Sequence, residues 1–233
     1  MASRFFAAAR KICLRLFFIG VYCQNMDNAL IFDFDGTLAE TFPLIFKAVH
    51  LAYLKLGIQP PDKETVYANF GPHELGLLLR LNPDRAFELF DAYLGATKEL
   101  IAQDGLAPFD GVRQTLEAAR ARGYKMAIIT NKSRETLDIS LDALGLREFF
   151  GVLKWGGETG SMKPRRLREV LDAFSISPQQ ATYIGDSVAD IEDCRQVGVP
   201  VLSAAWAKCA NIEALRRHNP EGVILSPLEI LAR

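Results

Sequence analysis

Two aspartates separated by one residue follow a short apolar stretch near the start of the chain. Residues 29–34 are apolar apart from Asp33, and the chain continues as Asp33-Phe34-Asp35-Gly36-Thr37. Such a stretch is typical of a strand buried on both faces of a parallel sheet. Carboxylates are rarely buried unless they are paired or hold a metal ion. The simpler alternative is an ordinary turn after a strand, because Asp-Gly is a common turn dipeptide.

Further polar residues follow other predicted strands. Thr130-Asn131 and Gly185-Asp186 each end an apolar segment, and Lys163 comes directly before a proline that opens a helix. Ligands bind at the carboxyl ends of the strands in open parallel sheets. We therefore expect these side chains to lie together at one edge of the sheet, with Asp190 nearby.

Each of these residues also has a simpler interpretation. Thr130 could be a turn residue, and Lys163 could be a solvated surface lysine. Ser187 and Asp190 have the spacing of a capping box at the start of a helix, which would account for Asp190 by itself. Only the combination of several carboxylates, one lysine and one hydroxyl indicates a functional site.

This combination suits phosphoryl transfer. Two or three carboxylates form an oxygen-rich site for Mg²⁺, which also binds substrate phosphate. A lysine and backbone N–H groups can offset charge on the transferring group, and a further carboxylate can attack phosphorus to form an aspartyl-phosphate. No serine–histidine arrangement competes, because none of His50, His73 and His218 follows a predicted core strand.

The elements that must position these residues alternate between helix and strand from Gly111 onward. The predicted strands cover residues 124–129, 152–155, 181–184, 200–203 and 223–225, with helices between them. Repeated strand–helix units predict an α/β fold, a Rossmann-like parallel sheet with helices on both faces.

Residues 41–105 differ, because they show helix signals and no strand signal. Helices are predicted from Pro43 to Leu56, from Asp62 to about Asn69, in a short segment opened by Pro72, and from Asn82-Pro83 to near Gln103. We therefore predict a catalytic core formed by residues 26–40 and 106–233, and a small all-helical cap domain, residues 41–105, inserted after the first strand.

Composition limits the other possibilities. The 233 residues are 49% hydrophobic and 24% charged, with a formal net charge of −1, so there is no electrostatic case for a nucleic acid partner. Cys13, Cys23, Cys194 and Cys209 show no paired spacing, which fits a reducing compartment, and we expect a cytoplasmic protein. Nothing in the sequence predicts an oligomeric state.

Residues 1–25 form a basic and apolar extension with no acidic residue before Asp27. One interpretation is a targeting or membrane-contacting segment, although its apolar run is interrupted by Arg15 and too short to span a bilayer. The other interpretation, which we favour, is that the chain starts naturally at Met26 and the preceding residues are an upstream extension.

The motifs Asp33-Phe34-Asp35-Gly36-Thr37, Thr130, Lys163 and Gly185-Asp186-Ser187-Val188-Ala189-Asp190 occur in the order seen in haloacid-dehalogenase-type phosphatases. The chain resembles that family over residues 27–230. The resemblance implies that Asp33 is the nucleophile and that Asp35 is the acid/base that protonates the leaving oxygen.

The resemblance also implies the binding residues. Mg²⁺ would be held by Asp33, the backbone carbonyl of Asp35 and Asp186, with Asp190 supporting the ion or orienting Lys163. The phosphoryl group would be bound by the set Gly36, Thr130, Asn131 and Lys163. The helical insert resembles the mobile cap of the subclass whose cap lies between the first and second motifs.

The substrate implied by the resemblance is a small phosphorylated metabolite. Thr130-Asn131-Lys132 is most similar to phosphoglycolate-phosphatase-like members, which makes 2-phosphoglycolate the first expectation and pyrophosphate or a sugar phosphate the alternatives. Ser133 departs from that pattern, because a proline is frequent at this position. A catalytically silent binding module is a further alternative, and the intact pair Asp33 and Asp35 argues against it.

Selection of the substrate is expected from the cap, which closes over such a site and excludes water. A carboxylate such as that of glycolate needs a cationic partner. Lys47, His50 and Arg80 are the basic candidates for the underside of the predicted cap.

Overall fold

The computed structural model of the chain describes residues 28–233. The predicted extension at residues 1–25 lies outside this range, so both interpretations of it stay predictions. Within the described range, no helix combines the length and the apolar character that crossing a bilayer requires.

A parallel sheet of six strands forms the centre of the molecule. Its strands are β1 (Ala29–Phe32), β2 (Lys125–Ile129), β3 (Val152–Lys154), β4 (Ala181–Gly185), β5 (Val201–Ala204) and β6 (Val223–Ile224). The order β3-β2-β1-β4-β5-β6 puts β1 between β2 and β4. The predicted α/β fold is confirmed, and the strand order reverses at β1, the strand that the two aspartates follow.

The described α-helices are α1 (Phe42–Lys55), α2 (Lys63–Ala68), α3 (Glu74–Leu81), α4 (Ala86–Asp104), α5 (Val112–Ala121), α6 (Arg134–Leu144), α7 (Lys163–Phe174), α8 (Val188–Arg195) and α9 (Ile212–His218). The two faces of the sheet are covered by different helices. Leu30 and Phe32 pack with residues of α5 and α6, whereas Ala29 and Ile31 pack with residues of α7. This alternation follows from the two-residue period of a strand and buries β1 on both faces.

Helices α1 to α4 form a separate hydrophobic cluster. Its buried members include Val49, Leu77, Leu78, Leu89 and Tyr93, and its partly buried members also come from residues 44–94. No strand lies in residues 41–105 of the described chain, as the sequence predicts. We call residues 41–105 the cap and the remaining described residues the core. The domain bounds themselves stay predictions.

Local signals account for most helix starts. Asp62 accepts a hydrogen bond from the Thr65 amide at the start of α2, and the Ser187–Asp190 capping box is formed at α8. Two starts differ from the prediction. The long cap helix begins at Ala86, because Pro83–Arg85 forms a 3₁₀ turn first.

The third cap helix begins at Glu74, two residues after Pro72. His73 is its N-cap, and the Nδ1 atom of His73 accepts a hydrogen bond from the Gly76 amide at 3.3 Å. This late start puts Glu74 in the first turn of α3.

Candidate active site

A cavity of about 600 Å³ lies between the cap and the carboxyl ends of β1, β2 and β4. Its core side is lined by predicted site residues, namely Asp33, Asp35, Thr130, Asn131, Lys163 and Asp186. Gly36 and Asp190 do not line the cavity themselves. Gly36 lies against Asp186, and Asp190 accepts a hydrogen bond from Lys163. The structure therefore brings together all of the site residues that the sequence predicts.

Asp33 is fixed by its neighbours immediately after β1. Its backbone N–H donates to the Ile184 carbonyl at 2.8 Å, and its Oδ1 accepts from the Phe34 amide at 2.7 Å. Its Oδ2 accepts from Lys163 Nζ at 2.7 Å. Burial raises the pKa of the Asp33 carboxyl to about 6, although the nearby Lys163 ammonium works against this rise.

Lys163 lies at the first position of α7 and bridges two carboxylates. Its Nζ donates to Asp33 Oδ2 at 2.7 Å and to Asp190 Oδ1 at 2.5 Å. Burial acts to lower the pKa of the Lys163 ammonium, but Asp190 and Asp33 together raise that pKa above its usual range. Lys163 therefore stays charged at the buried end of the cavity.

Asp190 accepts four hydrogen bonds from the protein. Its Oδ1 accepts from Lys163 and from the Tyr183 hydroxyl at 3.1 Å, and its Oδ2 accepts from the Ser187 amide at 3.1 Å and the Ser187 hydroxyl at 2.6 Å. Each oxygen of Asp190 thus accepts two hydrogen bonds, whereas each oxygen of Asp33 accepts one. Of the two roles left open by the sequence, this geometry favours orientation of Lys163 over direct binding of a metal ion.

Asp186 and Gly36 depend on each other. Gly36 has a φ of +74°, and a Cβ atom there would lie 2.2 Å from Asp186 Oδ2. A glycine is therefore needed both for the turn and for the close approach of the carboxylate. The Gly36 amide already donates to the Ala39 carbonyl at 3.0 Å, so this conformation leaves it no free N–H for phosphate.

The acidic cluster fits a divalent cation. Asp33, Asp186 and Asp190 each offer a carboxylate oxygen, and these oxygens lie within 4.8 Å of one another. Burial, together with the charges of Asp33 and Asp190, raises the pKa of Asp186 well above its usual range. A hard cation with oxygen ligands, such as Mg²⁺, would offset the excess negative charge. Since Asp190 is fully engaged, Asp33 and Asp186 are the side chains available to hold the ion.

Asp35 is held by two donors that the sequence did not single out. Its Oδ1 accepts from Lys132 Nζ at 3.0 Å and also from the Thr41 hydroxyl at the start of the cap. Lys132 is buried and lies 3.7 Å from Glu74 Oε1. The one local signal for Lys132 is its position just after the end of a predicted strand, within the Thr130-Asn131-Lys132 motif.

Glu74 joins the cap to the core and was not predicted at all. Its Oε2 accepts from the Ser133 amide at 2.6 Å, and its Oε1 accepts from the Thr136 hydroxyl at 2.6 Å. Both donors lie at the N-terminus of α6, where a helix stabilises negative charge. The Ser133 bond requires an N–H group, which a proline at this position would lack.

Thr130 and Asn131 follow β2 and line the same cavity as Asp33 and Asp186. The backbone N–H of Thr130 donates to the Lys154 carbonyl at 3.0 Å, and its hydroxyl oxygen accepts from the Lys132 amide at 3.2 Å. Asn131 Oδ1 is buried without a hydrogen-bond partner among the described residues. Thr130 is therefore held by two hydrogen bonds, and both residues line the cavity with polar side chains.

The cap side of the cavity is mainly apolar, with Glu74 and His73 as its polar members. It is lined by rings and aliphatic side chains, namely Phe42, Ile45, Phe46, Tyr67, Phe70 and Leu77. The prediction that basic cap residues line the site is wrong for this structure. Lys47 pairs with Asp104 at 2.8 Å, Arg80 donates to the Asn69 and Thr159 carbonyls, and neither residue nor His50 lines the cavity.

Comparison with known proteins gives consistent results. A family model described as haloacid dehalogenase-like hydrolase matches residues 30–204. A phosphoglycolate phosphatase of Thiobacillus denitrificans is 30% identical over 193 residues, which cover 77% of this chain and 83% of that protein. A pyrophosphatase PpaX of Halalkalibacterium halodurans is 27% identical over 88% of this chain and 95% of its own length.

Solved structures share the fold. A haloacid dehalogenase-like hydrolase from Streptococcus pneumoniae superposes with a TM-score of 0.70 at 25% identity, covering 88% of this chain and 97% of that one. CbbY from Rhodobacter sphaeroides, solved in complex with phosphate, superposes with a TM-score of 0.73 at 20% identity, covering 88% and 96%. At 20% identity, the similarity to CbbY concerns the fold alone.

Proposed function

The chain belongs to the haloacid dehalogenase-like hydrolase family, and we propose that it is a Mg²⁺-dependent phosphatase that works through an aspartyl-phosphate. Its class, a hydrolase of phosphate esters, follows from that membership. The observation that carries the proposed mechanism is the pairing of buried Asp33 with Lys163 at the end of β1, with Asp35 in the same cavity.

In the proposed first step, an Asp33 carboxylate oxygen attacks phosphorus, and the bond from phosphorus to the ester oxygen breaks. Asp35 gives its proton to the leaving oxygen. In the second step, Asp35 takes a proton from a water molecule, whose oxygen attacks phosphorus and releases phosphate and free Asp33. Lys132 and Thr41 both bind Oδ1 of Asp35, which leaves its Oδ2 for proton transfer.

The remaining residues stabilise charge. Lys163 would neutralise negative charge on the transferring group, and Asp190 would hold that lysine in place. The Thr130 hydroxyl and the Asn131 amide would bind phosphoryl oxygens. Asp33, Asp186 and the predicted Asp35 carbonyl would hold Mg²⁺, which supplies further neutralisation of the phosphoryl charge when bound.

The specific substrate is a finer proposal. The relatives named above make 2-phosphoglycolate and pyrophosphate the first candidates, with a sugar phosphate as an alternative. We also propose a cytoplasmic location, since the described cysteines Cys194 and Cys209 are unpaired.

The test is release of inorganic phosphate from a panel of phosphomonoesters and pyrophosphate. We expect release with Mg²⁺, none after chelation, and poor rescue by Ca²⁺, because the larger ion prefers longer bonds and more ligands. Full activity in chelator would contradict the metal assignment. No release from any compound in the presence of Mg²⁺ would instead support a catalytically silent binding module.

A further inference from the structure

We propose that the cap wall of the cavity binds an apolar, preferably aromatic, group carried by the alcohol of the substrate. The cap wall is the set Phe42, Ile45, Phe46, Tyr67, Phe70 and Leu77. The proposal rests on the proposed phosphatase function and names its substrate class. That class is phosphomonoesters with one anionic group and a ring or branched hydrocarbon, in preference to acidic esters such as phosphoglycolate.

The rings of the cap wall form one continuous surface. Phe70 stacks on Phe42 at 6.0 Å and on Phe46 at 5.8 Å between ring centroids, and Tyr67 lies against it at 5.5 Å. These rings are not sealed in the cap interior, and Tyr67 is 65% exposed although it lines the cavity. Aromatic surface left accessible inside a binding cavity favours a flat apolar ligand group.

The charges of the cavity disfavour a second anionic group. The charged side chains of its lining are four carboxylates, Asp33, Asp35, Glu74 and Asp186, and two lysines, Lys132 and Lys163. Each lysine already contacts two carboxylates, at distances between 2.5 and 3.7 Å. A bound Mg²⁺ and the phosphoryl group would share the remaining charge, so a substrate carboxylate would have no cationic partner among the described lining residues.

His73 does not supply that partner. Its Nδ1 accepts a hydrogen bond from the Gly76 amide at 3.3 Å, so this nitrogen is engaged in capping α3. Lys47 and Arg80 are engaged on other surfaces of the cap.

The size of the cavity also favours a substrate with a ring or branched hydrocarbon. A volume of about 600 Å³ lies within the range of pockets that enclose drug-sized ligands and exceeds what a phosphoryl group with a two-carbon acid would fill. A ring beside the phosphoryl group would occupy the space between the strand ends and the cap wall.

Benzyl phosphate, ethyl phosphate and 2-phosphoglycolate test the proposal, because all three are esters of primary alcohols and differ mainly in the group that the alcohol carries. We expect kcat/KM for benzyl phosphate to exceed that for ethyl phosphate by about tenfold, the effect expected from burying most of a ring. We expect 2-phosphoglycolate to be no better than ethyl phosphate.

A matched pair of variants locates the effect. Tyr67→Ser removes an exposed ring from the cap wall, and Phe87→Ser removes a ring that is 68% exposed and lies outside the cavity. We expect Tyr67→Ser to reduce the advantage of benzyl over ethyl phosphate at least about threefold, mainly through KM, and Phe87→Ser to leave it unchanged. Binding of benzylphosphonate, followed by calorimetry, should weaken only in Tyr67→Ser.

The outcomes separate the two proposals. If 2-phosphoglycolate or pyrophosphate is hydrolysed with a kcat/KM equal to or above that of benzyl phosphate, the phosphatase stands and the apolar substrate class is overturned. The same holds if Tyr67→Ser changes ethyl and benzyl phosphate equally. If none of the compounds releases phosphate with Mg²⁺ present, the proposed function fails, and this inference fails with it.

Discussion

The core side of the cavity carries three carboxylates, Asp33, Asp35 and Asp186, and two lysines, whereas the cap side consists mainly of apolar side chains. The core groups hold one another through ion pairs, such as those of Lys163 with Asp33 and Asp190. The cap rings have no such directional bonds. Under the proposed function, this difference assigns the positioning of the reacting groups to the core and the selection of the group attached to the phosphoryl group to the cap.

Glu74 is the exception on the cap side, because it is a buried carboxylate whose partners all belong to the core. It bonds to Ser133 and Thr136 and lies near Lys132, which in turn bonds to Asp35. The cap therefore reaches the proposed acid/base directly through Thr41, and also from Glu74 through one intermediate side chain, Lys132. The following predictions test this division between core and cap.

The largest effect is expected for Asp33→Asn. The variant keeps the size of the side chain but removes the anionic oxygen that is proposed to attack phosphorus, so turnover should fall by at least about a thousandfold. Phosphate release under saturating substrate measures the loss. Asp91→Asn, an exposed cap residue of the same type, should behave as wild type. Near-normal turnover in Asp33→Asn would exclude Asp33 as the nucleophile.

The second prediction concerns the two separate hydrophobic clusters. Leu116 of α5 belongs to the cluster beneath the sheet and Leu89 of α4 to the cap cluster, and both are fully buried. Each change to alanine should lower the free energy of unfolding by about 2–5 kcal/mol, because it removes buried methyl groups and leaves a cavity. Urea unfolding measures that loss.

Hydrogen exchange then distinguishes the regions. Leu89→Ala should raise exchange of amides in α1 and α4 while the strands stay protected, and Leu116→Ala should raise exchange in the sheet. Equal loss of protection in both regions of both variants would show that core and cap unfold as one cooperative unit.

The sheet and the core side of the site were predictable because their signals are local. An apolar run followed by polar residues marks a buried strand and its end, and parallel strands bring such ends together whatever lies between them. Asp33, Thr130 and Asp186 follow this rule. Asp190 forms the capping box with Ser187 and also accepts a hydrogen bond from Lys163, so the structural and the functional interpretation of this residue are both correct.

The cap side could not be predicted in the same way. Glu74 and Ser133 are 59 residues apart in the chain, and no local sequence pattern predicts a hydrogen bond between them. Lys47, His50 and Arg80 failed as predictions because the rotation of each helix decides which side chains face the cavity. In the cap, that rotation is set by packing, which turns the aromatic residues toward the site.

The third prediction concerns the link between the two regions. Glu74→Gln keeps the shape of the side chain but removes the charge that the Ser133 amide and the Thr136 hydroxyl bind. Hydrogen bonds to charged groups are worth about 1.5–3 kcal/mol, so exchange of the Ser133 amide should rise about 10- to 100-fold. Proton–deuterium exchange followed by NMR measures this directly.

Glu64→Gln provides the control, because Glu64 is exposed on α2 and lies in the same small cap. This variant should leave exchange at Ser133 unchanged. If Glu74→Gln also leaves it unchanged, the cap is held on the core by its apolar contacts and not by the buried carboxylate.

The smallest effect is expected for a partly exposed ion-pair network in the core. Glu169 of α7 accepts hydrogen bonds from Arg165 and Arg166 and pairs with Lys154 Nζ at 2.8 Å, while its side chain is 27% exposed. Hydrogen bonds from Lys154 and Arg166 lower the pKa of the Glu169 carboxyl from 4.5 to about 2. Solvent screening limits the net value of such a network to about 1 kcal/mol or less.

The sign of its pH dependence follows from the lowered pKa. The Glu169 contribution to the free energy of unfolding should be complete above pH 4.5 and should decline as the pH falls toward 2, because the unfolded chain then binds the proton first. The difference between wild type and Glu169→Gln in urea unfolding should therefore shrink between pH 7 and about pH 3.5. Glu99→Gln, which breaks an exposed cap pair in which Glu99 has one cationic partner, Lys55, should show a smaller difference at pH 7. Equal differences at pH 7 would mean that several cations around one carboxylate stabilise the core no better than one exposed pair stabilises the cap.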